Sequence, residues 1–308
     1  MNAPTPHLTR APEAADRVGL AQGVGAYIVW GLLPLFFAAL KSVGAMEVVA
    51  HRILWSLLLL AVVIVAGRRG PALLAAVRNP RALVMLAGSA TLISVNWLTY
   101  IWAVTNQHVL AASLGYFLNP LVNVVIGVLL LGERLTRVQT AAVGLAGVGV
   151  LVLAVAAGAG LWISLLLAFT FAFYGLIRKV APVGSIEGLT VETVLLAPFA
   201  AAFLIWLGPA NSFGATPGLS LLIASTGIIT ATPLLLFAAA ARRLRYATLG
   251  LLQYIAPTLQ FLCAVVVFGE RMTTAHMACF AFIWSGLALY AVHGGITAGA
   301  AKRRAAAG

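Results

Sequence analysis

Hydrogen-bonding side chains recur at helical spacing inside an apolar stretch at residues 112–134. Tyr116, Asn119 and Asn123 are separated by three and four residues, so they share one face of a helix. Pro120 lies in the same stripe and frees a backbone carbonyl, which a membrane helix tolerates where it is buried in protein or lines a cavity. Amides in this setting can bond one helix to another. The proline favours the alternative, in which Tyr116, Asn119 and Asn123 line a cavity and bind a small solute.

The stretch at residues 248–268 carries a related pattern around Pro257. Gln253 and Gln260 occupy the positions that match Tyr116 and Asn123, and Tyr254 is adjacent in sequence. Polar side chains therefore recur at the same depth in two separate apolar stretches. We expect Gln253, Tyr254 and Gln260 to face the same cavity.

Ionisable side chains inside apolar stretches are functional candidates, because a charge at the bilayer centre costs about 2.5–3.5 kcal/mol on insertion scales. Arg52 is predicted either to contact an anionic group of the solute or to pair with a carboxylate. His51 and Glu192 are candidates for coupling to protons, His51 because histidine titrates near neutral pH. A hydrogen-bonded packing role for His51 and an ion pair for Glu192 remain open.

Aromatic and amide residues in three further stretches are predicted to complete the cavity. Asn96 is flanked by Trp97 and Tyr100, and Trp30 and Tyr174 are the aromatic candidates from the first and sixth stretches. Any one of these rings could instead serve packing or lie in an interfacial belt. We include Trp30, Asn96, Tyr100 and Tyr174 among the predicted solute contacts.

The elements that must position these residues are transmembrane helices. With 62% hydrophobic residues, 8% charged residues and a mean hydropathy of +1.05, the chain is not an ordinary soluble domain. A span needs about 20 apolar residues. The sequence predicts an all-α integral membrane protein with ten spans, at residues 18–40, 46–66, 82–104, 109–131, 138–157, 161–177, 189–207, 219–240, 248–268 and 275–292.

An internal repeat organises the predicted spans. Pro120 and the Gly-Glu-Arg sequence at 132–134 are matched by Pro257 and the Gly-Glu-Arg sequence at 269–271, all shifted by 137 positions. A five-helix unit used twice must enter the membrane from opposite sides, because five is odd. The sequence therefore predicts two inverted five-helix repeats, 18–157 and 161–294, with the substrate site near the midplane between them.

The net charge of +12 could indicate binding to nucleic acid, but the placement of the charges indicates membrane topology. Sixteen of the 19 lysine and arginine residues fall on the side of the N-terminus. The positive-inside rule then predicts a multi-pass protein of the cytoplasmic membrane, with both tails, 1–17 and 295–308, in the cytoplasm. The expected partners are a small-molecule substrate and the lipid bilayer, with no nucleic acid.

The glycines at 144, 147 and 149 predict close helix packing, either within the chain or at a dimer face, so a monomer and a homodimer both remain open. We find no Walker phosphate loop, metal-ligand cluster or nucleophile–base motif, and expect no cofactor, no metal and no enzymatic activity. The pattern predicts a secondary transporter that works by alternating access. The alternatives are a membrane enzyme, and a membrane sensor or partner subunit that does not transport.

The whole chain from about residue 19 to 292 also resembles the RarD-type proteins of the EamA family, in the drug/metabolite transporter superfamily. The resemblance rests on HRILWS at 51–56, NWL at 96–98, ASLGYFLNPL at 112–121, FYGLIRK at 173–179 and QYIAPT at 253–258. It implies ten helices in inverted five-helix repeats, an inner-membrane location and export of small molecules such as metabolites, amino-acid-like solutes or drugs.

Overall fold

The computed structural model describes residues 13–105, 109–157, 161–267, 274–275, 277–286 and 288–289, and no strand occurs among them. These residues form helices joined by short connections. The helices are α1 (Glu13–Ala38), α2 (Ala45–Ala66), α3 (Gly70–Arg78), α4 (Pro80–Thr105), α5 (Val109–Leu129), α6 (Arg137–Ala157), α7 (Leu161–Val180), α8 (Ser185–Leu207), α9 (Pro217–Arg243), α10 (Tyr246–Gln253), α11 (Ile255–Leu262) and α12 (Met277–Gly286).

Six helices in the described part of the chain are long and apolar enough to cross a membrane: α1, α2, α4, α7, α8 and α9. Large apolar side chains lie on their outer faces, as lipid contact requires. Ile205 and Trp206 of α8, for example, are 80% and 78% exposed. The chain is thus an all-α, multi-pass membrane protein. Helix α1 begins at Glu13, within the predicted N-terminal tail. The described residues do not include 1–12 of that tail, the C-terminal tail, the second Gly-Glu-Arg sequence or the end of the predicted tenth span.

The short helix α3 was not among the predicted elements. Pro71 lies in its first turn, and the helix ends at Arg78, which is followed by Asn79 and then Pro80. Ala76 is buried in a cluster with Ala82 and Val191, whereas most other α3 side chains are exposed. A nine-residue helix with so narrow a buried face leaves little periodicity in the sequence.

The predicted ninth span, 248–268, is not one continuous helix. The chain turns at Tyr254, where α10 ends and α11 begins, and Cys263–Val267 continues as a π-helical turn. Pro257 has no N–H group and cannot bond to the carbonyl of Gln253. With the helix restarting at Ile255, the proline lies in a first turn, where a missing donor costs little.

The helices surround a central cavity and cross closely at glycines. Helix α2 packs against α8 and α9, α5 against α7 and α10, α1 against α9 and α11, and α4 against α7. A Cβ atom added to Gly227 of α9 would lie 2.5 Å from the carbonyl carbon of Trp55 in α2, and one added to Gly31 would lie 2.6 Å from the Cβ of Leu259. These glycines let the backbones approach at the positions that set the walls of the cavity.

Candidate solute-binding cavity

A cavity of about 270 Å³ lies among α1, α2, α4, α5, α7 and the C-terminal helices α9 to α11. Ligand pockets typically measure roughly 300–1,000 Å³, and this cavity is close to the lower end of that range. Its size therefore suits a small metabolite. Eight of the eleven predicted solute contacts line it: Trp30, Arg52, Asn96, Tyr100, Tyr116, Asn119, Gln253 and Gln260.

Among the described residues that line the cavity, only Arg52 carries a formal charge. Its Nε donates a hydrogen bond to Oγ1 of Thr230, with a separation of 2.9 Å. Its Cζ lies 4.8 Å from the ring centroid of Trp97 and 5.8 Å from that of Phe37. The two rings stabilise the cation through their negative faces, but they do not neutralise it.

No described acidic side chain forms an ion pair with Arg52. The four acidic residues whose side chains the structure describes have other partners: Glu47 contacts His51, Glu133 contacts Arg245, Glu187 contacts Arg69 and Glu192 contacts Arg178. The positive charge in the cavity is therefore uncompensated by any carboxylate in the described part of the chain. An anionic group of a solute would supply the missing charge.

Two amides on the cavity wall hold helices together. Nδ2 of Asn96 donates to the carbonyl oxygen of Leu167 at 2.9 Å and to Oγ1 of Thr170 at 3.0 Å, which joins α4 to α7. Nε2 of Gln260 donates to the carbonyl oxygen of Trp30 at 3.1 Å. That carbonyl has no partner within α1 because the residue four positions later, Pro34, lacks an N–H group. The proline thus creates an acceptor that joins α1 to α11.

Asn119 provides an acceptor at the wall of the cavity. Its side chain is 1% exposed, and its Oδ1 atom has no hydrogen-bond partner among the described residues. A buried carbonyl oxygen without a partner costs about 1–3 kcal/mol. A solute N–H or O–H group that donates to Asn119 would remove this cost.

Three predicted solute contacts do not line the cavity. Asn123 lies behind it, where Nδ2 donates to Oε1 of Gln253 at 2.7 Å and joins α5 to α10. Tyr174 is stacked on Phe237, with ring centroids 6.1 Å apart. It follows the cavity-lining Phe171 by one helical turn, which places it on the expected face but at the wrong depth.

Tyr254, the third of these residues, is buried on the opposite side of its helix pair, against a cluster that includes Leu114, Phe117 and Phe280. Its ring is 1% exposed. Consecutive residues of a helix point about 100° apart, so Tyr254 and Gln253 face different directions. Tyr254 therefore does not line the cavity, although it is adjacent in sequence to Gln253.

The two coupling candidates lie away from the cavity. Nε2 of His51 is 3.1 Å from Oδ1 of Asn211 and 3.9 Å from Oε1 of Glu47. Glu47 also accepts hydrogen bonds from the backbone N–H and the hydroxyl of Ser212, at 2.5 Å and 3.1 Å. His51 thus belongs to a cluster that holds the loop after α8. Glu192 is 2% exposed and faces Arg178.

Sequence reasoning missed several residues of the wall. Phe37, Phe171 and Leu234 line it, and Thr230 positions Arg52 from α9. One signal was available: Pro34 lies four residues after Trp30, which marks a free carbonyl in the first span as Pro120 does in the fourth. The apolar residues carry no such signal, because Leu and Phe are equally common on lipid-facing surfaces.

A multi-pass helical bundle with a polar, positively charged cavity belongs to the class of solute-handling membrane proteins. Comparisons with known proteins identify the family. The model of the EamA-like transporter family matches residues 17–155. The RarD protein of Streptomyces exfoliatus is 48% identical over 280 residues, which cover 90% of this chain and 89% of that protein.

Two other relatives agree. The RarD protein of Escherichia coli is 46% identical over 277 residues, or 89% of this chain and 94% of the relative. An uncharacterized transporter of Vibrio cholerae is 44% identical over 298 residues, or 96% and 98%. The chain belongs to the EamA-like transporter family, as a RarD-type member, and it is a membrane transporter. A crystal structure with 22% identity shares the fold, with a TM-score of 0.70 over 89% of this chain and 97% of the other.

Proposed function

We propose that the chain is a secondary transporter that exports a small organic acid through the cavity around Arg52. The observation that carries this proposal is a guanidinium group that faces the cavity without a carboxylate partner in the described part of the chain. Asn119 adds an unpaired acceptor for a donor group of the solute. Trp30, Trp97 and Phe171 provide an apolar wall for the rest of the molecule.

The proposed mechanism is alternating access by two inverted five-helix repeats. The packing pairs support it, since exchanging each helix with its counterpart in the other repeat preserves the pattern. Helix α1 packs against α9 as α7 packs against α4, and α5 packs against α7 as α11 packs against α1. Helix α2 likewise packs against α9 as α8 packs against α4. Two further contacts, α2 with α8 and α5 with α10, pair a helix with its own counterpart, as expected near the repeat axis.

The proposed location is the cytoplasmic membrane, with both termini in the cytoplasm. Two variants that each add one cysteine at an exposed position test the orientation: Ala72→Cys in α3 and Ala215→Cys in the loop before α9. The native thiols, Cys263 and Cys279, are buried. An impermeant thiol reagent added outside intact cells should label position 215 and spare position 72. Labelling of position 72 alone would show that the orientation is the opposite of the one proposed.

The substrate proposal is tested with purified protein and a panel of aromatic and aliphatic carboxylic acids, each paired with its neutral amide. An acid that binds should raise the thermal unfolding temperature of the wild-type protein, and its amide should not. Arg52→Ala and Asn119→Ala should lose both this shift and the flux of the same acid into proteoliposomes. Arg78→Ala, which removes an exposed arginine at the end of α3, is the matched control and should keep both. Equal shifts from acids and amides would contradict the proposal.

A further inference from the structure

Glu192 and Arg178 form a buried ion pair that the solute site does not use. Each residue is 2% exposed, and Nη1 of Arg178 lies 3.4 Å from Oε1 of Glu192. Nη2 of Arg178 donates to the carbonyl oxygen of Ser185 at 2.8 Å, and Oγ of Ser89 donates to the same Oε1 atom of Glu192. Both side-chain contacts of the carboxylate therefore involve one oxygen.

The other carboxylate oxygen, Oε2 of Glu192, is buried and has no hydrogen-bond partner among the described residues. Leaving such an acceptor unsatisfied is costly, and buried acceptors normally have a protein or water partner. The free oxygen can be satisfied by a proton, by a water molecule, or by each in turn. This distinguishes Glu192 from a carboxylate whose two oxygens are both fixed in a structural ion pair.

A second cavity, of about 20 Å³, has Glu192 in its wall and shares wall residues with the central cavity. Glu192 and Thr230 both line it, and Ile93, Trp97 and Leu234 lie in the walls of both this cavity and the central one. A volume of roughly 10–15 Å³ is enough for one water molecule where polar groups are present. Ser56 and Thr193 also line the small cavity.

The hydrogen bond between Arg52 and Thr230 leaves Thr230 able to donate a hydrogen bond toward Glu192. Oγ1 of Thr230 accepts from Nε of Arg52, so its own hydroxyl hydrogen is available to donate to another group. A water molecule in the small cavity could accept that hydrogen and donate to Oε2 of Glu192. A chain of hydrogen bonds would then run from the guanidinium group of Arg52 through Thr230 and the water molecule to the carboxylate of Glu192.

We propose that Glu192 is the proton-binding site of the transporter, and that Thr230 and one water molecule connect it to the solute site at Arg52. This proposal rests on the proposed transport function. In the binding step, a hydronium ion in the small cavity transfers its proton to Oε2, which forms an O–H bond and leaves a water molecule. The carboxylate becomes neutral, and the charge of the Glu192–Arg178 pair changes from zero to +1.

The surroundings of Glu192 contain few competing groups. Arg178 and Tyr174 face it from α7, while Ser89 of α4 and Thr230 of α9 are neutral hydroxyls. Arg52 of α2 lies beyond Thr230. Arg69, which precedes α3, pairs with Glu187 at 2.8 Å instead. Among the described residues, a proton taken up in this region therefore has Glu192 as its acceptor.

Infrared difference spectroscopy of the full-length protein in liposomes tests the proposal without any solute. On acidification from mildly alkaline to mildly acidic pH, the wild type should develop the C=O band of a protonated carboxylic acid. Glu192→Gln should lose this band, and Glu187→Gln, an acid on the same helix, should keep it. Glu192→Asp retains a carboxyl group and should shift the band, which covers the case in which the glutamine variant fails to fold.

Two further variants separate the parts of the proposal. Thr230→Val removes the hydroxyl with little change in shape and should shift the pH at which the band appears. Arg52→Ala should still show a titrating band while losing solute binding, so failure of the solute proposal would be seen separately. A band that persists in Glu192→Gln, or none in the wild type, would leave Glu192 as a fixed structural partner of Arg178. An unchanged titration in Thr230→Val would overturn the connection to the solute site.

Discussion

Replacing Gly227 with alanine should separate α2 from α9 and disturb the group that positions Arg52. The added Cβ atom would lie 2.5 Å from the carbonyl carbon and 2.6 Å from the carbonyl oxygen of Trp55. Optimal contacts between carbon atoms are about 3.5–4.0 Å, so the two backbones must move apart by roughly 1 Å. Because the obstacle is backbone, a change of side-chain rotamer cannot relieve the contact.

This separation acts directly on the solute site. Arg52 precedes Trp55 by three residues, Thr230 follows Gly227 by three, and their hydrogen bond is 2.9 Å long. A movement of roughly 1 Å takes it beyond the usual limit of about 3.2 Å. Overpacking of a close contact typically costs about 1–3 kcal/mol. We therefore expect a lower unfolding temperature and a loss of solute flux that exceeds the loss of folded protein.

Gly218→Ala is the matched control on the same helix. Gly218 is exposed, and no atom lies within 4 Å of the position that its Cβ would take. Thermal unfolding followed by tryptophan fluorescence, with flux measured in proteoliposomes at equal folded protein, compares the two variants. If Gly227→Ala unfolds and transports like Gly218→Ala, the crossing of α2 and α9 does not position the solute site, and the reasoning is wrong.

Three further outcomes follow from the packing. Gly149→Leu should lower stability by about 1–3 kcal/mol in thermal unfolding, because its Cβ would lie 2.8 Å from the carbonyl oxygen of Cys279. Gly147→Leu should leave the monomer as stable as the wild type, since no described atom lies within 4 Å, and a change of oligomeric mass in light scattering would identify a dimer face there. Glu133→Ala should speed amide exchange at Tyr246, whose N–H group donates to Oε1 of Glu133 at 2.6 Å, whereas Glu133→Gln should not; equal exchange in both variants would contradict this.

The apolar runs and the polar stripe were predictable because burying a polar residue in the membrane costs free energy, so such residues are few and their spacing is informative. Tyr116 and Asn119 lie on the cavity wall as the stripe predicts, and Arg52 reaches the same wall from α2. Periodicity within one uninterrupted helix was enough for these residues. The stripe continues to Asn123, but that side chain is bonded to Gln253, because the helices α5 and α10 cross there.

Depth and backbone breaks were not predictable in the same way. Tyr174 has the correct face but lies one turn beyond the cavity, and a single sequence does not set the height of one helix against another. Tyr254 was included because it is adjacent to Gln253, but consecutive helical residues point about 100° apart, and the break between α10 and α11 falls at this residue. The sequence showed Glu133 only as part of the repeated Gly-Glu-Arg motif, yet its carboxylate caps the first turn of α10. That contact joins residues that are far apart in sequence.

The contrast between Arg52 and Arg178 is the strongest physical argument for the site. Both guanidinium groups lie in helices of an apolar bundle, where an isolated charge is costly. Arg178 is 2% exposed and has Glu192 beside it, so a carboxylate of the same chain balances its charge. Arg52 has two aromatic rings and a threonine hydroxyl, which reduce the cost of the charge but leave it uncompensated by the described carboxylates. Because its open side faces a cavity of metabolite size, an anionic solute can provide the counter-charge that the described part of the chain does not.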